Sequence, residues 1–180
     1  MTTHAISGMY VGQFQFQANG DNVIRATPAD SLASLNTHDM WPFAGFWEGL
    51  YLDDQEDLKL LNPEDAQQAR KERQWLRESV IHYLRQRGLL DSESPTLYDI
   101  LKGCLTELAG RGEAMMLVNL EDLWLERLPQ NTPGTVDQRP NWRLRAAHSL
   151  GAAKANSEFV KLLERVEQSR PRPHESESGV

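Results

Sequence analysis

A chain of 180 residues, 39% hydrophobic and 25% charged, is long enough to bury the core of one ordinary soluble domain. Its formal net charge of −7 argues against nucleic acid as a partner, because phosphate binding needs clustered Lys and Arg. No apolar run approaches the ~18 residues of a membrane span, the N-terminus MTTHAISGMY lacks the basic and apolar regions of a signal peptide, and the single cysteine, Cys104, excludes an internal disulfide and fits a reducing, cytoplasmic setting.

Residues 9–16, MYVGQFQF, alternate as a strand does, with Tyr10, Phe14 and Phe16 on one face and Gln13 and Gln15 on the other. An amide-bearing face suggests a polar interior or a strand end near a site. ANGDN (18–22) is turn chemistry, and Ser31–Asn36 is a second short strand. It feeds a His-Asp pair, His38-Asp39, followed by Trp41, Phe43, Phe46 and Trp47.

Asn62 caps a helix with Pro63 at its first position and Glu64 and Asp65 in the first turn. The pattern runs to about Arg87, with Gly88 as stop and Leu76, Val80 and Leu84 on the buried face. A shorter helix begins near Ser94-Pro95 and stops at Gly110; Cys104 lies within its apolar stripe and reads as core rather than nucleophile. AMMLVNL (114–120) is an apolar run suited to a strand covered on both faces. A long ordered loop follows, and a last helix over Ser157–Glu167 buries Phe159, Val160, Leu163 and Val166. No internal repeat is visible. Strands separated by helices point to α/β with parallel pairing. About three strands are too few for a closed (β/α)₈ barrel, which needs about 250 residues.

Four segments, in order, carry a family resemblance. SGMYVGQFQF (7–16) resembles a Pro-Gly-Met-x-Val-Leu-Gln-Phe strand, and NTHDMWPFAGFWEG (36–49) a Thr-His-Asp segment. LVNLEDLWLE (117–126) is similar to a Leu-Glu-Asp-Leu strand end, and QNTPGTVDQRPNWRLR (130–145) to an Asn-x-Pro-Gly-Thr…Pro-Asn-Trp-Arg signature. All four are features of the 4-α-glucanotransferases, the amylomaltase or disproportionating-enzyme family, glycoside hydrolase family 77. Departures are Ser7 for a usual Pro, Trp41-Pro42 for a common Pro-Thr, and Phe46-Trp47 for a common Trp-Trp.

The resemblance implies transfer of α-1,4-glucan segments with retention, on maltooligosaccharides, without cofactor or metal. Retention needs a nucleophile and a general acid/base about 5–5.5 Å apart. A third carboxylate steadies the oxocarbenium-like transition state, and Asp39 matches that position. His38, Asn131 and Trp47 are implied substrate contacts. Read without the resemblance, His38-Asp39 is a solvated turn or local cap, and Trp41, Phe46 and Trp47 are mostly core aromatics. Asn131 has two readings of equal weight, a sugar ligand or an Asx-type turn satisfying its own backbone. Glu121-Asp122 holds the loop rather than doing chemistry, and Arg143 and Arg145 pair with carboxylates.

The family's nucleophile and acid/base precede the Pro-Gly-Met strand. Residues 1–168 therefore read as the C-terminal portion of the catalytic barrel, about strands six to eight with their helices, incomplete as an isolated chain. Residues 169–180 read as a disordered tail. The chain alone is expected to be inactive, and a complementing chain with the remaining strands is the expected partner. Two alternatives stand: a non-catalytic glucan-binding or interaction module, and a fragment of an α-amylase-type barrel, against which the Asn-x-Pro-Gly-Thr segment argues.

Overall fold

Three short parallel strands carry the architecture. The computed structural model describes residues 7–18, 22–28, 30–112 and 115–171. In it β1 (Gly8–Val11), β2 (Ser31–Ser34) and β3 (Met115–Leu117) form one sheet in that order, with Gly8 opposite Ser31 and Leu32 opposite Met115. The α/β class with parallel pairing is what the strand and helix order implied. The leader reading at residues 1–6, most of the 18–22 turn, Ala114 and the tail from 172 lie outside the described residues.

β1 is shorter than the alternation over 9–16 suggests. After Val11 the chain enters one helical turn, α1 (Gly12–Gln15), and the Gln13 N–H donates to the Leu35 carbonyl at 2.9 Å. Gly12 makes this approach possible, since a Cβ there would lie 3.2 Å from Leu35 Cδ2. The helical turn rotates the side chains out of alternation. Tyr10 and Phe16 are buried, but Phe14 between them is 71% exposed.

The long helices begin where local capping chemistry starts them. In α4 (Pro63–Gln86) the Asn62 side chain accepts from the Asp65 N–H, and Gly88 takes the left-handed conformation just beyond the end. In α5 (Leu97–Ala109) Thr96 and Asp99 form a reciprocal capping box, which sets the start two residues past Ser94-Pro95. α5 is the buried centre of the helical layer, packed between α4 and α8 (Ser157–Ser169). Gly103 lets Leu84 of α4 come close, as a Cβ would meet Leu84 Cδ1 at 3.0 Å. Cys104 is buried there, and burial pushes its thiol far up, so it is a core residue.

Three expectations are corrected. β3 is not covered on both faces: Met116 packs on the core, while Met115 and Leu117 on the opposite face are exposed. In α8 the buried stripe is Phe159, Leu162 and Val166; Val160 and Leu163 stand beside it and are exposed. The region after Asp39, where the sequence reading placed no element, holds two helices. These are α2 (Phe43–Glu48) and α3 (Leu50–Asp57), joined at Gly49 with φ 84. Two short helices, α6 (Leu120–Leu123) and α7 (Leu150–Ala155), bracket the long loop. No helix among the described residues is long and apolar enough to cross a membrane.

Candidate active site

His38 and Asp39 lie on a turn beyond the C-terminal end of β2, the edge at which sites collect in parallel α/β sheets. The turn is closed by the Met40 N–H donating to the Thr37 carbonyl at 3.1 Å. Its two feet are clamped by one residue of the neighbouring strand unit. Asp122, 1% exposed, accepts from the Asn36 amide at 2.9 and 3.1 Å and from the Phe43 N–H at 2.7 Å. Asn119 completes the clamp by donating to the Asn36 carbonyl at 3.0 Å and to the Asn36 side-chain oxygen. Burial pushes the Asp122 carboxyl up to about 6, against the downward pull of the Phe43 N–H and the Asn36 amide.

The second wall is the loop that follows α6. Its hydrogen bonds are largely internal. The Thr132 N–H donates to Asn141 Oδ1 at 2.9 Å, and Asn141 Nδ2 donates to the Thr135 carbonyl and hydroxyl at 3.0 and 2.9 Å. Gly134 takes φ 85 at the tip. Arg139 ties the loop to α3 through Asp54 (2.5 Å) and Asp57 (2.6 Å). Arg143 and Arg145 are exposed and form no ion pair among the described residues; Arg139 does the work expected of them.

The two walls meet at Asp39. Asn131 Nδ2 donates to Asp39 Oδ1 at 2.7 Å, across 92 positions of sequence. His38 Nε2 lies 3.4 Å from Asp39 Oδ2, and the His38 ring sits 5.9 Å from that of Trp142, centroid to centroid. Asp39 keeps 48% of its side chain exposed, so a carboxylate edge faces solvent. A carboxylate held by one neutral donor and left otherwise open can accept hydrogen bonds from hydroxyls and stabilise nearby positive charge.

Asp39, His38 and Asn131 are therefore brought together. Asn131 donates one amide hydrogen to Asp39, and the backbone of the turn is tied by Asn141 instead. Trp47 is a correction. It is 3% exposed and stacks on Phe43 at 5.7 Å, so it is core and offers no face to a sugar. Asn36, Asn119, Asn141 and Trp142 were missed, because their partners lie far along the chain or, for Asn141, inside a loop without periodicity.

Two concavities flank the site. A hollow of about 130 Å³ is lined by His38, Asn36, Glu121 and Trp142 among others, and a cavity of about 520 Å³ by Gln13, Trp41, Phe46, Tyr51 and Arg73 among others. Met40 borders both; Gln130 belongs to the first and Thr132 to the second, with Asn131 between them. Among the described residues no three His, Cys, Asp or Glu side chains gather as a metal site requires.

Residues 1–150 match the family model described as 4-alpha-glucanotransferase, Glyco_hydro_77. A 4-alpha-glucanotransferase of Mycobacterium bovis is 36% identical over 118 residues, which are 63% of this chain and 16% of that protein. One from Haemophilus influenzae is 25% identical over 150 residues, 79% of this chain and 22% of that protein. The fold is similar to crystalline amylomaltase from Corynebacterium glutamicum, with TM-score 0.73 at 23% identity over 93% of this chain and 26% of that one. The chain thus spans about a quarter or less of the proteins it matches.

Proposed function

The chain belongs to the 4-alpha-glucanotransferase family, and from that membership we propose that it carries the transition-state-stabilising part of a retaining α-1,4-glucan transfer site. The observation that carries the reading is the Asn131–Asp39 hydrogen bond at 2.7 Å, which joins the Thr-His-Asp segment and the Asn-x-Pro-Gly-Thr segment around one half-open carboxylate. In this reading Asp39 accepts hydroxyls of the glucosyl unit at the cleavage point and offsets the positive charge that develops on its ring. Asn131 fixes the carboxylate's orientation, and His38 contributes a hydrogen bond to the same sugar. Asp122 acts at one remove, by holding the turn that presents them.

The attacking and proton-donating carboxylates have no counterpart in this arrangement. Asp122 is occupied by three hydrogen bonds, and no other carboxylate among the described residues shares Asp39's contacts. We therefore read residues 1–168 as the late-strand portion of a (β/α)₈ barrel, with a chain bearing the earlier strands as the complement. The substrate class is α-1,4-glucans and the setting cytoplasmic. The acarbose complex of Streptococcus agalactiae amylomaltase, a structural neighbour with TM-score 0.63, favours a glucan ligand at this type of fold.

The test mixes the chain with a polypeptide carrying the remaining strands and follows redistribution of maltotriose. Exchange in the mixture that falls by about 10²–10³-fold in Asp39→Asn supports the reading. Exchange in the mixture that survives Asp39→Asn contradicts it. A non-catalytic glucan-binding module is the second reading; binding by the chain without turnover in any mixture favours it.

A further inference from the structure

Residues 130–145 form a loop closed on itself. The Trp142 N–H donates to the Gln130 carbonyl at 2.7 Å, which joins its two ends, and Asn141 ties Thr132 to Thr135 across the tip. Among the described residues, two sets of hydrogen bonds lead from this loop to the rest of the molecule. One is Asn131 Nδ2 donating to Asp39 Oδ1 at 2.7 Å. The other belongs to the Arg139 guanidinium. It donates from Nε to Asp54 Oδ1 at 2.5 Å and from Nη2 to Asp57 Oδ2 at 2.6 Å, both on α3. The first set meets the candidate chemistry, and the second lies well away from it along the chain.

The Arg139 contact has the build of a fixed joint. The Arg139 and Asp54 side chains are only 20% and 13% exposed, although Asp57 is 72% exposed. A planar guanidinium spread between two carboxylates one helical turn apart fixes direction as well as distance. Packing does little of this work. The 520 Å³ cavity lies between the two elements, with Tyr51, Asp54 and Gln55 on its α3 side and Thr132 and Pro133 on its loop side. The family signature that the loop resembles leaves positions 136–139 open, and Asp54 and Asp57 lie outside all four resembling segments. The resemblance therefore gives this joint no role.

We propose that Arg139 is a positioning residue for Asp39: its joint to α3 sets the loop at the place from which Asn131 holds the carboxylate. This rests on the transfer-site reading for the chemistry of Asp39. A loop closed on itself and attached at two points links those points, because holding one raises the effective concentration of partners at the other. Such coupling is reciprocal. Losing Arg139 therefore releases Asn131, and losing Asn131 loosens Arg139. Of the two acceptors Asp54 carries more of the joint, since the exposed Asp57 is screened by water and salt.

The test uses the full chain and needs no ligand. ¹H–¹⁵N NMR follows exchange with water at the Asn131 side-chain amide and at Arg139 Nε, both expected to be protected in the wild type. Arg139→Gln is expected to speed exchange at Asn131 at least about tenfold, with the α4 and α5 signals unchanged. Asp54→Asn is expected to do the same and Asp57→Asn to do less. Arg139→Lys, which keeps the charge but not the fork, is expected to fall between wild type and Arg139→Gln. Asn131→Ala is expected to speed exchange at Arg139 Nε in turn, a response that an arginine serving only the fold would not give. If Arg139→Gln disturbs α4 and α5, Asp54→Asn and Asn131→Ala decide. Asn131 protected in the wild type and equally protected in Arg139→Gln or Asp54→Asn overturns the positioning role and leaves the transfer-site reading standing. Arg139 Nε indifferent to Asn131→Ala overturns it too. Asn131 unprotected in the wild type overturns both.

Discussion

Asp122 decides whether His38 and Asp39 are presented at all, and it does so by hydrogen bonding alone. Its neighbours are donors: the Phe43 N–H and the Asn36 amide. Asp122→Asn replaces one acceptor oxygen by a donor facing donors, and the Asn36 amide cannot flip to receive it without losing its bond from Asn119. The expected cost is about 1–3 kcal/mol in denaturant unfolding. The pH dependence has a definite sign. The folded Asp122 carboxyl titrates at about 6, above the ordinary 3.8, so its contribution is fully present below about pH 4 and is lost as pH rises through 6. Glu107 runs the other way. Burial pushes it up, but the Tyr83 hydroxyl and the Arg111 and Arg87 guanidiniums outweigh burial and hold it low. Its contribution is present above the ordinary glutamate value and is lost as pH falls through the lower folded one. The difference between wild type and Asp122→Asn isolates the first slope: the gap is expected to be larger at pH 4 than at pH 7, and a gap that grows toward pH 7 contradicts it. At this scale the sequence pointed to Asp39 only through its resemblance, and assigned Glu121-Asp122 a structural role in the loop; in the structure Asp122 instead holds the turn between Asn36 and Phe43. The sequence could not show the Asn36–Asp122 bond, which spans 86 positions with no periodicity to mark it.

Elements started by neighbouring residues were legible, and those defined by distant packing were not. α4 and α5 begin at caps whose partners lie three residues apart, and both matched the reading of Asn62-Pro63 and of the segment after Ser94. α2 escaped notice because its aromatics read as a site motif rather than as a buried face. It is fixed by contact with the segment after α6: a Cβ on Gly45 would lie 2.2 Å from the Arg127 carbonyl oxygen and 2.7 Å from Trp41 Cε3. Gly45→Ala must push α2 off that backbone, at a cost of about 1–3 kcal/mol. A lower unfolding midpoint in denaturant is expected. Wild-type stability in Gly45→Ala would contradict the close approach. β3 was misread because an apolar run is silent on which face is covered; Met115 and Leu117 lie on the open one.

In the whole molecule the sheet ends at β1 on one side and β3 on the other, and no further strand among the described residues pairs with either. Met9, Met115, Leu117 and Leu120 are exposed near these strands. Open strand edges with apolar neighbours favour association with further chain. The relatives are four to six times as long as the part that matches, by the shares of 16–22%. Both facts agree with a chain that matches one part of a larger catalytic fold. The most direct measurement is therefore the simplest: purified monomer, alone, incubated with maltotriose and resolved by chromatography. The account predicts maltotriose unchanged. Glucose, maltose and longer oligomers accumulating together from the monomer would show that this chain breaks and remakes the linkage without help, and would contradict it.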